Sequence, residues 1–283
     1  MREHHLVQPL SNDISCENNP YSDCSTMERQ SFSSSGDASF TKCDFISCNN
    51  NQNRPEGDGG AISYSVLNGH LIVTSCYFFN CIAYQKEGGA IDVRDADYAT
   101  ISSSSFVNCQ THLPHSGIIG GGGINLRSIQ QIPLISLCIF ISCSSGNDGG
   151  GASIWDFSSS ITDPICSSCC FIGGTTGDAG AGVILYNNTN PSPCSNCLFS
   201  SNDADFGGAI YIYYVTYPSN SYPIQFCFFH ANSASKYGND VAIENFLLNQ
   251  DNPIINYSFS TVGSNRLAYH DSGWHNTTVD WLP

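Results

Sequence analysis

Two short motifs alternate about seven times along this chain, and that alternation restricts its fold more than any other feature. One is Cys-x-Phe-x-x-Cys, as in Cys43-Asp44-Phe45-Ile46-Ser47-Cys48 and Cys76-x-Phe78-x-x-Cys81. Variants follow at Ser104-x-Phe106-x-x-Cys109, Cys138-x-Phe140-x-x-Cys143, Cys169-x-Phe171-x-x-Gly174, Cys197-x-Phe199-x-x-Asn202 and Cys227-x-Phe229-x-x-Asn232. The other is Gly-Gly-Ala-Ile, complete at Gly59–Ile62, Gly88–Ile91 and Gly207–Ile210. It is altered at Gly122-Gly123-Ile124, Gly150-Gly151-Ala152-Ser153, Gly180-Ala181-Gly182-Val183 and Gly238-Asn239-Asp240-Val241. Successive Phe residues are 33, 28, 34, 31, 28 and 30 positions apart. A period in this range means one supersecondary unit per repeat, each burying its apolar face against its neighbours.

Side-chain parity makes these units strands. After the Gly pair, apolar residues recur two apart: Ile62 with Tyr64, Ile91 with Val93, Ile124 with Leu126, Val183 with Leu185, Ile210 with Ile212, Val241 with Ile243. A period of two marks a strand with one buried face. No segment holds a 3.6-residue apolar period between caps, so helices are few. A less regular third stretch precedes the Cys at 71–74, 134–137 and 224–226. Three short strands cannot close a core alone, but stacked coils pair each strand with its counterpart in parallel and in register. The chain is therefore expected to form an all-β parallel β-helix of about seven to eight coils. Phe45, Phe78, Phe106, Phe140, Phe171, Phe199 and Phe229 form one buried column in this reading. Ile62, Ile91, Ile124, Val183, Ile210 and Val241 form a second. The Gly pair fits a corner where positive φ or a close backbone approach excludes a Cβ. An antiparallel sandwich gives no reason for one motif to return at one phase.

The repeats span 39–245; residues 1–38 read as a polar cap or an incomplete first coil and 246–283 as an atypical final coil or cap, because solenoid ends must hide core and edges. Charged residues are 12% of the chain and the formal net charge is −15, with nine Lys plus Arg. That charge opposes phosphate backbones and anionic membranes, which excludes nucleic acid as a partner. No run reaches 18 apolar residues, so no membrane span is expected. Fifteen cysteines are too many for an average cytosolic protein, and ten of them fall on the two repeat columns. Stacking is thus their common cause. Buried thiols pack as small hydrophobes, and coils ~4.8 Å apart also permit disulfides; both readings stand for the inner column. At the second column Cys48, Cys81, Cys109 and Cys143 occupy a turn where an Asn would hydrogen-bond along the stack. A thiol is a poorer donor, so vertical pairing of Cys48 with Cys81 and Cys109 with Cys143 is expected there, with Cys109 also able to pair with Cys81. The sequons at Asn187, Asn256 and Asn276 fit exposed positions of a secreted protein. The start of the chain lacks a signal peptide, so an upstream segment or unconventional export is expected.

These motifs resemble the polymorphic outer membrane protein repeat, whose hallmarks are Gly-Gly-Ala-Ile and Phe-x-x-Asn. Gly59–Ile62, Gly88–Ile91 and Gly207–Ile210 match the first; Phe199-x-x-Asn202 and Phe229-x-x-Asn232 match the second. The likeness covers about 70% of the chain. It departs in the Cys at 48, 81, 109 and 143 and in lacking a membrane-barrel segment, which points to a Cys-rich, eukaryotic-type variant rather than a bacterial autotransporter. The resemblance implies a right-handed, pectin-lyase-like β-helix at the cell surface or outside the cell. It further implies adhesion to a surface protein or glycan, without an enzymatic role.

A carbohydrate-active enzyme is the rival class, because many β-helices are lyases or hydrolases. Glycoside hydrolysis needs two carboxylates across a defined gap, and lyases need a basic residue beside acids. The acidic group Asp92, Asp95 and Asp97 around Arg94 is the nearest match, yet charges after a strand are ordinarily a solvated turn. Asp58, Asp148, Asp178, Asp203 with Asp205, and Asp240 precede the Gly corners. Stacked carboxylates bind calcium in some proteins, but Asp is also simply a good turn former. His112 and His115 lie in a long insert without other ligands, and Gly120–Gly123 lacks the Lys-Ser/Thr of a phosphate loop. No catalytic, cofactor or metal residue is assigned.

Overall fold

The computed structural model describes residues 14–17, 30–33, 36–49, 59–84, 87–112, 120–131, 133–157, 164–188, 194–213, 224, 226–245, 266–271 and 276–280. They form a parallel β-solenoid with four sheets running along its length, and every element among them is a strand. The phenylalanine sheet has seven strands: Asp44–Ile46, Tyr77–Phe79, Ser105–Val107, Ile139–Ile141, Cys170–Ile172, Leu198–Ser200 and Phe228–His230. Before it in each coil comes a seven-stranded hydroxyl sheet, which includes His70–Thr74, Tyr98–Ser102 and Leu134–Ser136. After it comes a short six-stranded sheet, from Ile82–Tyr84 to Ser233–Tyr237. The long sheet has ten strands and carries the Gly-Gly-Ala-Ile segments.

Register is set residue for residue. Ile62 pairs with Ile91, Ile91 with Ile124, Ile124 with Ala152, Ala152 with Val183, Val183 with Ile210 and Ile210 with Val241. The seven phenylalanines pair in the same way, all at least 98% buried. Their rings lie nearly parallel with centroids 4.7 Å apart from Phe45 to Phe140, 4.6 Å from Phe140 to Phe171 and 5.2 Å from Phe199 to Phe229. Such separations suit offset aromatic stacking, and the in-register pairing sets each ring on its counterpart in the next coil. Both columns read from the sequence are therefore present.

The corners show why small residues recur. Gly88 has φ +68°, where a side chain is strained, and a Cβ on Gly89 would land on the Gly122 carbonyl. The two Gly thus answer different constraints, one conformational and one steric. The other two turns use left-handed residues instead. Lys42, Ser75, Ser103, Leu137, Ser168, Asn196 and Phe226 precede the phenylalanine sheet at φ 50–56°, and Ser47, Asn80, Asn108, Ser142 and Ser201 follow it at φ 52–57°.

A left-handed residue breaks the ladder and strands the next N–H, which must find another acceptor when buried. The side chain of the adjacent coil supplies it. Cys43 N–H donates to Cys76 Sγ (3.5 Å), Cys76 N–H to Ser104 Oγ (3.1 Å) and Cys169 N–H to Cys197 Sγ (3.5 Å). At the second turn, Gly174 N–H donates to Asn202 Oδ1 (2.9 Å) and Asn202 N–H to Asn232 Oδ1 (3.1 Å). The Asn amides then donate to the carbonyls of Phe171 (3.0 Å) and Phe199 (3.1 Å) in the preceding coil. The thiols of Cys81, Cys109 and Cys143 donate to the equivalent carbonyls of Phe45 (3.5 Å), Phe78 (3.7 Å) and Phe106 (3.4 Å).

This replaces the vertical bridges expected from the sequence. Cys81, Cys109 and Cys143 carry free thiols; of the four, only Cys48 is disulfide-bonded, to a cysteine outside the column. The reason is geometric: each thiol turns to the Phe carbonyl of the coil before it and does the work of Asn. Burial pushes the Cys109 and Cys143 thiols well above their ordinary pKa, which keeps them protonated and able to donate.

The solenoid also reaches past 39–245. Ile14–Glu17 pairs in parallel with Ala38–Thr41, and Gln30–Phe32 with Ile62–Tyr64. At the other end Arg266–Asp271 continues the long sheet in parallel, and Asn276–Asp280 folds back antiparallel to it. Among the described residues, no helix is long and apolar enough to cross a membrane.

Two outcomes follow for stability. Phe140→Ala, at the middle of the stack, costs ~3–5 kcal/mol by cavity formation in chemical denaturation. Cys197→Ser keeps an acceptor for Cys169 N–H, as Ser104 does in its own coil. Cys197→Val removes it and costs ~1–3 kcal/mol for a buried unsatisfied donor. Equal midpoints for the two Cys197 variants would refute the capping role of this column.

Candidate binding face

The outward face of the long sheet gathers the chemistry that the repeats do not explain. Because Ile91 and Val93 point inward, Asp92 and Arg94 point outward, and the register extends them into two columns. One passes from Ser63 through Asp92, Asn125 and Ser153 to Ile184 and Tyr211. The other passes from Ser65 through Arg94, Arg127 and Trp155 to Tyr186 and Tyr213. The face thus changes along the axis from charged to aromatic.

At the charged end two buried carboxylates share one amide. Asn125 Nδ2 donates to Glu87 Oε2 (2.9 Å) and to Asp92 Oδ1 (2.7 Å). Arg94 Nη2 donates to Glu87 Oε2 (3.0 Å), and Arg94 Nε lies 3.1 Å from Asp92 Oδ2, as an ion pair rather than an aligned hydrogen bond. Arg127 Nη1 stands 4.0 Å from Glu87 Oε1. Glu87, Asp92 and Asn125 are all at least 95% buried, where unpaired charge is costly and a matched guanidinium offsets it. Asn125 bridges the two carboxylates through its amide nitrogen.

At the aromatic end the rings stack along the axis. Trp155 and Tyr186 have centroids 4.1 Å apart with a 10° interplanar angle, and Tyr186 and Tyr213 are 4.2 Å apart at 29°. The Arg127 guanidinium lies 6.0 Å from the Trp155 ring, a cation–π distance. Trp155 Nε1 donates to Ser153 Oγ at 2.8 Å. Tyr186 and Tyr213 pack with Phe206 against a small outer cluster of Ala179, Ile184, Tyr211 and Ala242. Stacked rings occupy one another's faces, so this ladder offers solvent its edges and polar tips.

The acidic group read from the sequence is dispersed. Asp92 joins this face, Asp95 sits exposed in the turn at φ 53°, and Asp97 lies just before the Tyr98–Ser102 strand with His70 Nε2 (3.2 Å) and Gln131 Nε2 (3.0 Å). Glu87 was missed, although it directly precedes a Gly pair, as Asp58 and Asp148 do. His112 stacks on Tyr84 at 5.4 Å; Asp58, His115 and Asn256 lie outside the described residues. Asn187 and Asn276 fall in strands of the long sheet. Gly122, in the Gly120–Gly123 tract, takes the same corner place as Gly89.

The corner acids separate likewise. Asp240 is buried and accepts from Asn232 Nδ2 (2.9 Å), which ends the Asn column. Asp205 pairs with Lys236 Nζ at 2.9 Å, and its contacts with Ser235 and Lys236 hold its carboxyl below the usual range. Among the described residues no group of three potential ligands gathers for a metal ion. Asp148 accepts from Ala179 N–H (3.1 Å), and burial, with Asp178 adding repulsion, pushes it up to about 7. Compared with family models, curated proteins and solved structures, the chain has no match.

Asp148 gives a pH prediction. Its carboxyl is raised in the fold above the ordinary 3.8, so its stabilising contribution is complete below that value and is lost as pH rises through about 7. Asp148→Asn retains the acceptor for Ala179 and abolishes the charge. The variant is therefore more stable than the parent at about pH 8, by up to ~4 kcal/mol, and equal to it at about pH 4. Paired melts at the two pH values check this.

Proposed function

We propose that the protein is a non-enzymatic β-solenoid of the cell surface or extracellular space that binds a partner through the outward face of its long sheet. The observation that carries this reading is the continuous stripe from Arg94 and Arg127 to Trp155, Tyr186 and Tyr213. Trp, Tyr and Arg on a preorganised surface are the residue types that dominate protein-binding hot spots. The ring edges favour a protein surface over a sugar, whose stacking needs open ring faces. The resemblance of the repeats to the polymorphic outer membrane protein family supports surface adhesion. The sequons, including Asn187 and Asn276, fit an extracellular setting.

The second reading is a carbohydrate-active enzyme, and the pair Glu87–Asp92 is the observation in its favour. Against it, Arg94 and Asn125 already engage both carboxylates. The test is retention of the purified chain on arrays of extracellular protein domains and of glycans. Trp155→Ala and Arg127→Ala each weaken binding to the best target about tenfold or more, as expected for hot-spot residues. Release of reducing or unsaturated ends from a polysaccharide panel, lost in Glu87→Gln or Asp92→Asn, would establish the enzyme instead.

A further inference from the structure

The outward face of the phenylalanine sheet is apolar where a solvated wall would be polar. Ten of its fourteen outward strand positions are apolar, among them Tyr77, Phe79, Ile139, Ile141 and Phe228. Ile139 is 40% exposed and Phe228 39%. In a chain of net charge −15, the only ionisable side chains on these strands besides Tyr77 and Cys170 are Asp44 at one end and His230 at the other. A contiguous apolar wall of this kind marks an interaction surface.

The bordering turn carries an independent sign. Its left-handed position holds Lys, Ser or Asn in five coils but Leu137 and Phe226 in the other two, both at φ 55°. Bulky residues are outliers there, and these two are 62% and 68% exposed. They gain nothing from the core in return for that strain, which points to a role outside this chain.

We propose that this wall joins two copies of the chain, antiparallel, about a two-fold axis along the Ile139–Ile141 strand. Under that axis Leu137, Ile139 and Ile141 each meet their own counterparts. The first strand, Asp44–Ile46, lies opposite the last, Phe228–His230. Lys42 of one copy then faces Phe226 of the other, a cation–π arrangement, and Asp44 comes diagonally beside His230. A parallel arrangement instead brings the two Asp44 carboxylates to one level. Seven strands at ~4.8 Å and five residue steps across give a wall of about 29 by 16 Å. Two such walls bury roughly 900 Å², at the small end of specific interfaces, so the dimer is a weak, reversible one. Salt strengthens the association, because it screens the repulsion between two acidic copies.

Sedimentation velocity of the full chain over about a hundredfold concentration range, micromolar upward, tests this. The parent is expected to pass from monomer to dimer. Ile139→Lys and Leu137→Asn weaken dimerisation tenfold or more while keeping the parent's melting temperature; Leu137→Asn introduces the residue that Asn196 already provides at that turn. Ile72→Lys, on the hydroxyl sheet, leaves the dimer intact. Under mild oxidation Leu137→Cys forms a covalent dimer across the axis, whereas Phe226→Cys does not. A parent that stays monomeric throughout, a dimer that survives Leu137→Asn, or a monomer that binds neutral phosphatidylcholine vesicles through this wall each overturns the proposal. Cross-linking through Phe226→Cys in place of Leu137→Cys overturns the antiparallel arrangement.

Discussion

Every coil depends on one interaction: the N–H stranded at a left-handed turn is accepted by the side chain standing at the same place in the next coil. Cys43 relies on Cys76, Cys76 on Ser104, Cys169 on Cys197, and Asn202 on Asn232. Without that acceptor the turn is a buried defect repeated along the whole length. With it, the chain bends sharply twice per coil and still delivers Phe and Ile to the same depth each time. The stacked rings of the core follow from this, since rings separated by one coil spacing must already be in register. Sequence at the turns is therefore narrow in volume but not in identity, and Cys, Ser and Asn all serve.

That tolerance accounts for what was legible in the sequence and what was not. The Phe column, the Ile column and the Gly corners could be read because size or conformation narrows each to a few residue types. The role of the second Cys column was misjudged. A thiol was weighed as a weak donor in isolation, whereas burial keeps it protonated and the fold aims it at a fixed carbonyl. The short sheet left no trace: its inward residues are small, such as Ala83, Thr111 and Ser145, and its strands are too brief to alternate. The strands at 14–17 and 30–32 were hidden because the first coil lacks the motifs that identify the others. On the binding face the sequence sets Asp92 beside Arg94 but hides the rest, since Asn125 reaches Asp92 from a neighbouring coil and Glu87 joins from a corner through Asn125 and Arg94.

The walls differ more than the repeats do. The hydroxyl sheet shows a column of Thr41, Thr74, Ser102, Ser136, Ser167 and Ser195. The phenylalanine sheet is apolar outside as well as inside, and the long sheet carries ion pairs and stacked aromatics. A repeat that fixes only inward and turn positions leaves every outward position free. Three surfaces of unlike chemistry can then be written on one scaffold, and function belongs to those columns rather than to the fold.

Gly174 stands where the second turn column passes from thiols to amides. Its missing side chain lets Cys143 end one series and Asn202 begin the other without either having to fit against its opposite. The second turn column is thus two series of different chemistry joined at a neutral seam. Within either series one more turn meets neighbours of its own kind in this column, so the turn itself sets no limit on the number of coils. Length is thus left open by these turns, in steps of about 4.8 Å, whereas the outward columns change with every coil and are rewritten whenever one is gained or lost.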